Sequence, residues 1–193
     1  MNSKSFLTDK IENEILLYYK KLDKVDRSII DNIVARWSDD RLNSEKDRFT
    51  ELNRHLYDPA TKTILDMSSG CGSFVIQGLL TGWDVHGVEP ELWKQDLIDL
   101  KFSENNYPSE WRSRIKQGIG EDLPYENGQF DAFNSWQTFE HVQNVDDCLK
   151  ELYRVLKPGG KGIIHCPSYM TFYEGHYRLF WFPMMGNSAF GRA

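Results

Sequence analysis

The chain has 193 residues, with 23 basic against 29 acidic side chains, a net charge of −6 and an isoelectric point near 5.4. That length supports one domain with a sizeable core, and the acidic balance argues against a protein that grips nucleic acid through a broad basic face. At 40% hydrophobic residues the chain is a folding one, yet no apolar run approaches the ~18–20 residues of a membrane span, and residues 1–10 lack the apolar heart of a secretory signal.

Residues 1–58 carry 11 basic and 12 acidic side chains and no glycine or proline. Apolar positions recur there at helical spacing: Leu7, Ile11, Ile15, Tyr18 and Leu22, then Ile29, Ile30, Ile33, Val34 and Trp37, then Phe49, Leu52 and Leu56. Three amphipathic helices are expected, with Ser28 capping the second and Ser44 the third, and their stripes should pack on the rest of the chain. From residue 59 to 166 the texture changes. Strand-like runs at 63–67, 83–89, 114–118, 130–136 and 162–166 alternate with helical patterns at 72–80, 90–102 and 145–156, Pro90 suiting a first helical turn. Such alternation predicts an α/β, Rossmann-like three-layer sandwich around a mostly parallel sheet. Residues 157–160, Lys-Pro-Gly-Gly, read as the turn into the last strand. The stretch 167–193 holds eight of the 26 aromatic residues and no clean period, and reads as a lid or an extension. Cys71, Cys148 and Cys166 are odd in number and form no CxxC pair, as in a reduced, cytoplasmic protein.

The most informative segment is Thr63-Ile-Leu-Asp-Met-Ser-Ser-Gly-Cys-Gly-Ser73, an apolar strand that ends in an acid and turns through small residues into a helix. Small residues let a ligand approach the backbone closely, although a plain strand–helix turn reads the same way. A dinucleotide fingerprint fits badly, because Val75 stands where the third glycine belongs and Asp66 would repel a pyrophosphate. Glu89 ends the next strand, where a carboxylate can accept two hydrogen bonds from a ribose diol. Further on come Gly118-Ile-Gly-Glu-Asp-Leu-Pro-Tyr125, Phe130-Asp131, Glu140-His141-Val142 and Arg154-Val-Leu-Lys-Pro-Gly-Gly160.

Together these motifs resemble the class I S-adenosylmethionine-dependent methyltransferases, of the broad group with E-D-L-P-[FY], F-D and R-V-L-K-P-G-G signatures. The resemblance covers roughly residues 62–166 and implies S-adenosyl-L-methionine as cofactor. In the family's D-x-G-x-G-x-G loop, Asp66, Gly70 and Gly72 match, Ser69 lies between them, and Ser68 replaces the first glycine. The loop keeps its shape if that position needs no positive φ. The resemblance further implies that Glu89 holds the ribose, Pro90 lies beneath the adenine, and Gly120 and Glu121 frame its edge. Asn134, Ser135 and Trp136 would face the methionine part and the transferred methyl.

A pocket lined by acids and carbonyls, without Lys or Arg, is the expected host for a sulfonium cation. His141 is the candidate general base, or else a helix-start histidine that orders its loop. With Glu140 it makes too few ligands for a metal, so no metal is expected. Tyr173, His176 and Tyr177, in the aromatic segment, are the candidate substrate contacts. The expected activity is methyl transfer to an O, N or C nucleophile of a small metabolite. The alternative is a non-catalytic cofactor-binding or partner-binding module on a degenerate methyltransferase fold. The family's full fold has seven strands and only five are legible, so either the last two are absent or the chain is a shortened piece of a longer protein, the latter being the expectation, and the open edge should favour a homodimer.

Overall fold

Each of the five strand-like runs forms a parallel strand: β1 (Thr63–Met67), β2 (Asp84–Glu89), β3 (Ile115–Gln117), β4 (Phe130–Trp136) and β5 (Leu156–His165), in the order β3-β2-β1-β4-β5. The computed structural model describes residues 3–19, 27–39, 44–167, 173–174 and 179–180. β1 is central, with Asp66 opposite Gly87 on one side and Asn134 on the other. Its residues from Ile64 to Met67 are all buried, the mark of a strand covered on both faces.

Helices α1 (Ser3–Tyr19), α2 (Arg27–Ser38) and α3 (Lys46–His55) precede the sheet. Helices α4 (Ser73–Leu80), α5 (Leu92–Asn105), the short α6 (Ser109–Arg112) and α7 (Val145–Val155) connect its strands. On one face, Leu52 and Leu56 meet Phe74, Val75, Ile76, Ile98 and Phe102 over Ile64 and Ala132. On the other, Cys148, Leu152 and Val155 of α7 pack with Leu65, Met67, Phe130 and Phe133. α7 begins where Asn144 Oδ1 accepts from the Asp146 and Asp147 amides at 3.0 and 3.2 Å, a side-chain cap. A third cluster joins Leu7, Ile11 and Ile15 of α1 to Ile30 and Val34 of α2, and closes on Cys71 and Leu97. The N-terminal helices thus pack against the glycine turn.

The α/β Rossmann-like expectation holds, with local corrections. α2 begins at Arg27, so Ser28 lies inside it. Ser44 does not cap α3; its Oγ accepts from Gln77 Nε2 at 3.0 Å, and the cap residue is Glu45. Pro90 falls outside α5, whose cap is Glu91. β5 starts at Leu156 rather than 162, so Lys157–Lys161 belongs to the strand; a register shift against Phe130 and Ala132 absorbs the irregularity. Beyond Pro167, Tyr173–Glu174 pairs antiparallel with Leu179–Phe180. His176 and Tyr177 lie outside the described residues, as does the side chain of Tyr173. Among the described residues no helix is long and apolar enough to cross a membrane.

From β1 the chain winds outward through β2 to β3, then returns past β1 to β4 and β5. Strand order therefore reverses between β1 and β4. In an open parallel sheet, that reversal opens a crevice at the strands' carboxyl ends.

Candidate functional site

The crevice is floored by the turn from β1 to α4. Ser68 has φ +60, Gly70 φ +58 and Gly72 φ +76, so three alternate residues are left-handed. Ser68 therefore occupies a conformation that glycine adopts without strain, so the condition of no positive φ at this position is not met. A side chain on Gly72 would meet Ile115 Cδ1 at 2.9 Å, whereas none of the surrounding atoms lies within 4 Å of a Cβ placed on Gly70. Gly72 is thus small for packing, and Gly70 leaves the crevice side open to a ligand. The turn is pinned by Ser69 N donating to Val88 O at 2.9 Å and Gly72 N to Ser69 O at 2.9 Å.

Glu89, at the end of β2, is buried beside this turn. Its Oε2 accepts from the Gly70 amide at 2.8 Å; Oε1 accepts from the Glu91 amide at 3.2 Å and lies 3.4 Å from Lys94 Nζ. Burial raises the Glu89 pKa, with Lys94 and the two amides pulling the other way. Of a carboxylate's roughly four acceptor positions, three are engaged. The Lys94 contact is the longest, and a ribose diol would displace it first.

Asp66 is fully buried. Its Oδ1 receives Arg48 Nη2 from α3 and, at 3.2 Å, Asn134 Nδ2 from β4. Burial pushes its carboxyl up to about 6 against the opposing pull of Arg48. Two cations, Arg48 and Lys94, therefore stand beside the two site acids, which corrects the expectation of a crevice without Lys or Arg. Arg48 is the residue that sequence reading missed. The signal was present: it lies four residues before Leu52, on the buried stripe of α3, where an arginine needs a buried partner.

Other expected residues are placed as follows. A Cβ on Gly120 would sit 2.9 Å from Cys148 Sγ, so this glycine lets the loop after β3 close over α7. Glu121 Oε1 accepts from the Gln143 and Asn144 amides at 2.7 and 3.1 Å, and these bonds hold its pKa down against the cost of burial. Through these bonds it ties the loop after β4. Ser135 Oγ is buried and makes no hydrogen bond. The rings of Trp136 and His165 stack at 4.0 Å and 4°, at the carboxyl ends of β4 and β5, and Gln137 Nε2 lies 3.0 Å from His165 Nδ1. His141 is exposed at the rim, its amide donating to Thr138 O at 2.8 Å. Pro90 is exposed where β2 enters α5. Among the described residues no group of three or more His, Cys, Asp or Glu side chains converges on a metal position.

The donor set fits a nucleoside with a cationic, amino-acid-bearing end. It offers an open backbone at Gly70, a buried carboxylate beside it, and a second buried carboxylate with one oxygen, Oδ2, lacking any hydrogen bond. A pyrophosphate would meet two acids there.

Comparison with known proteins agrees. A profile of the methyltransferase domain family matches residues 65–164. A demethylmenaquinone methyltransferase of Lactobacillus johnsonii is 32% identical over 60% of this chain and 50% of its own length. A ubiquinone/menaquinone biosynthesis C-methyltransferase of Geotalea daltonii is 31% identical over 52% of this chain and 43% of its own. The matched part therefore spans half or less of these relatives. Among solved structures, a Pyrococcus horikoshii protein superimposes with TM-score 0.53 at 24% identity, covering 65% of this chain and 59% of its own. A Haemonchus contortus phosphoethanolamine N-methyltransferase bound to S-adenosylhomocysteine gives 0.51 at 24%, over 62% and 27%. These two share the fold.

Proposed function

This chain belongs to the methyltransferase domain family of S-adenosylmethionine-dependent enzymes, and from that premise we propose that it transfers a methyl group from S-adenosyl-L-methionine to carbon on a small, ring-bearing acceptor of the quinol kind. The observation that carries the cofactor half is Glu89 Oε2 bonded at 2.8 Å to the amide of Gly70, which sets a buried acid against the open turn. Relatives that act on quinone precursors support the acceptor class. The stacked Trp136 and His165, a flat platform at the carboxyl ends of β4 and β5, support it too.

The cofactor supplies a methyl carried on a sulfonium sulfur. This chain's residues orient the partners and exclude water, since in-line displacement is accelerated mainly by alignment in a dry site. Glu89 takes the ribose hydroxyls, Asn134 and Asp66 steady the end of β1 against β4, and Ser135 and Trp136 border the transfer. A ring carbon becomes nucleophilic when its hydroxyl loses a proton, and His141, exposed at the rim, is the base proposed for that step. Tyr173, His176 and Tyr177 are retained as proposed substrate contacts. The separation of residues 1–58, 59–166 and 167–193 into helical cover, core and lid is likewise proposed. The odd number of cysteines and the lack of a CxxC pair support a cytoplasmic location.

Titration calorimetry with S-adenosylhomocysteine tests the reading. The wild type binds; Glu89→Ala weakens binding by about 1.5–3 kcal/mol, the scale of hydrogen bonds to a charged group. His141→Ala keeps that affinity and loses on the order of 10²-fold in rate. A wild type that does not bind overturns the reading. Binding without transfer to any quinol acceptor would instead mark a cofactor-binding module.

A further inference from the structure

A cavity of about 290 Å³ lies at the opposite end of the sheet from the crevice, where β1, β4 and β5 begin. The steps along β4 from Asp131 to Trp136 put roughly 17 Å between it and the candidate site. One side of its lining is charged: Lys62, Lys157 and Lys161 against a single acid, Asp131. In the sheet register Ala132 stands opposite Ile64 of β1 and Lys161 of β5, so Asp131 sits between Lys62 and the two lysines of β5. The acid is already engaged. Its Oδ2 accepts from the Thr63 amide at 3.0 Å and from Lys157 Nζ at 2.8 Å. Partial burial pushes the Asp131 carboxyl up, but the Lys157 bond, the Thr63 amide and the charges of Lys157 and Lys62 outweigh that and hold it below the usual carboxylate range. It therefore stays ionised and offsets Lys157. Lys161 Nζ donates at 3.3 Å to the His55 carbonyl, a neutral partner, and Lys62 acts on Asp131 through charge alone. Two positive charges are left uncompensated, in a chain whose net charge is −6.

The other side is apolar, formed by Leu56, Tyr57 and Pro158, and Tyr57 is 91% exposed, so its ring has a face open to a flat group. Between the two sides runs bare backbone. Gly159 has φ +78, and a Cβ placed on it would meet none of the surrounding atoms within 4 Å. The Lys157-Pro-Gly-Gly160 run, which reads in sequence as a turn, is thus a wall of this cavity. We propose that the cavity binds a small organic phosphate monoester, with the phosphate between Lys62 and Lys161 and a flat body against Tyr57. At neutral pH a phosphate monoester carries close to two negative charges and three acceptor oxygens, which matches two uncompensated ammonium groups. A bare phosphate would leave the apolar side uncovered. None of these residues borders the crevice, so the proposal stands apart from the cofactor reading.

Calorimetry at low salt on the full chain tests it, with phenyl phosphate, phenyl sulfate, inorganic phosphate and phthalate as ligands. Phenyl phosphate is expected to bind with a Kd of about 0.1–1 mM, and the other three at least about fivefold more weakly. Lys62→Met and Lys161→Met should each weaken phenyl phosphate about fivefold, the scale of one charge pair near the surface, and leave the affinity for S-adenosylhomocysteine unchanged. Tyr57→Ala should weaken phenyl phosphate about two- to tenfold and leave inorganic phosphate as it was. A wild type that shows no binding of phenyl phosphate up to about 10 mM overturns the proposal, as does binding that either lysine substitution leaves unchanged. Displacement of phenyl phosphate by S-adenosylhomocysteine would put it in the crevice and overturn the proposal too. Phthalate binding as tightly as phenyl phosphate would overturn the choice of a phosphate.

Discussion

Ser68 shows how one residue can be legible in type while its conformation is not. The loop pattern identified the position, but only the backbone shows that φ there is +60, the left-handed region that costs a residue with a Cβ about 1 kcal/mol. Ser68→Gly should therefore raise the unfolding free energy by on the order of 0.5–1 kcal/mol, less what glycine adds to unfolded-chain entropy. A chemical-denaturation midpoint that stays put or falls would refute the strain. Two titrating residues, Asp66 fully buried and His86 half-buried, give a second prediction. Asp66, pushed up to about 6, holds its proton in the folded chain over pH 4 to 6 while the unfolded chain has lost it, so its contribution to stability falls as pH rises through that window. His86 is the reverse. Burial first, then Arg114 Nη1 at 2.6 Å, lower it to about 4, so its contribution is present above pH 6.5 and is lost as pH falls toward 4. At about 1.4 kcal/mol per unit the two slopes oppose each other in the wild-type profile. Relative to it, Asp66→Asn should gain in stability as pH rises from 4 to 6, and His86→Gln should lose. Parallel profiles for all three proteins would remove both assignments.

At the scale of elements, hydrophobic period carried most of the fold. β1 and β4 occupy the residues that the apolar runs at 63–67 and 130–136 mark, and α7 ends one residue short of its pattern. The errors fall where tertiary contacts overrule local signals. Ser44 is drawn to Gln77 of α4 instead of capping α3, and Lys157–Gly160 is carried into β5 as the irregularity between Leu156 and Lys161, which both pair with β4. The stripes on α1 and α2 were visible, but their target was not, because it lies on the glycine turn at Cys71 and on Leu97 of α5. Since these two helices rest mainly on each other and on that small patch, they are expected to open before the sheet does. Ile11 is fully buried in the patch, and Ile11→Ala should cost about 2–5 kcal/mol locally. Cys166 is exposed and should react with a thiol reagent at once, while Cys71 and Cys148 are buried and wait on opening. Ile11→Ala should speed Cys71 on the order of 10²-fold and leave Cys148, under α7, unchanged, since each 1.4 kcal/mol is a factor of ten. Equal acceleration of both thiols would show that the helices and the sheet open as one unit.

For the molecule as a whole, the open question is β5. A parallel sheet is normally buried on both faces, yet β5 is exposed along much of its length, and among the described residues no strand pairs with its outer edge. The two halves of this edge differ. Lys157, Pro158, Gly159 and Lys161 protect the first half in the usual manner, with proline removing a donor and lysines repelling an approaching strand. Lys157 is held by Asp131 at 2.8 Å and Lys161 by the His55 carbonyl at 3.3 Å, so both charges are fixed near the edge. The second half has no such guard: Ile163 packs partly into the core and Ile164 is 41% exposed. If a second copy covers this half, as the open edge was expected to favour, two β5 strands would pair antiparallel about Ile164 in an isologous contact. Such a short pairing supports only a weak dimer, and sedimentation should show the average mass rising as the concentration is raised to ~100 μM. Ile164→Lys places a charge at the centre of the contact and should hold the chain monomeric at every concentration, with Glu89-dependent cofactor affinity unchanged. If the wild type stays monomeric throughout, or if Ile164→Lys dimerises as well as the wild type, pairing through β5 is wrong, and this edge is covered by some other segment or partner.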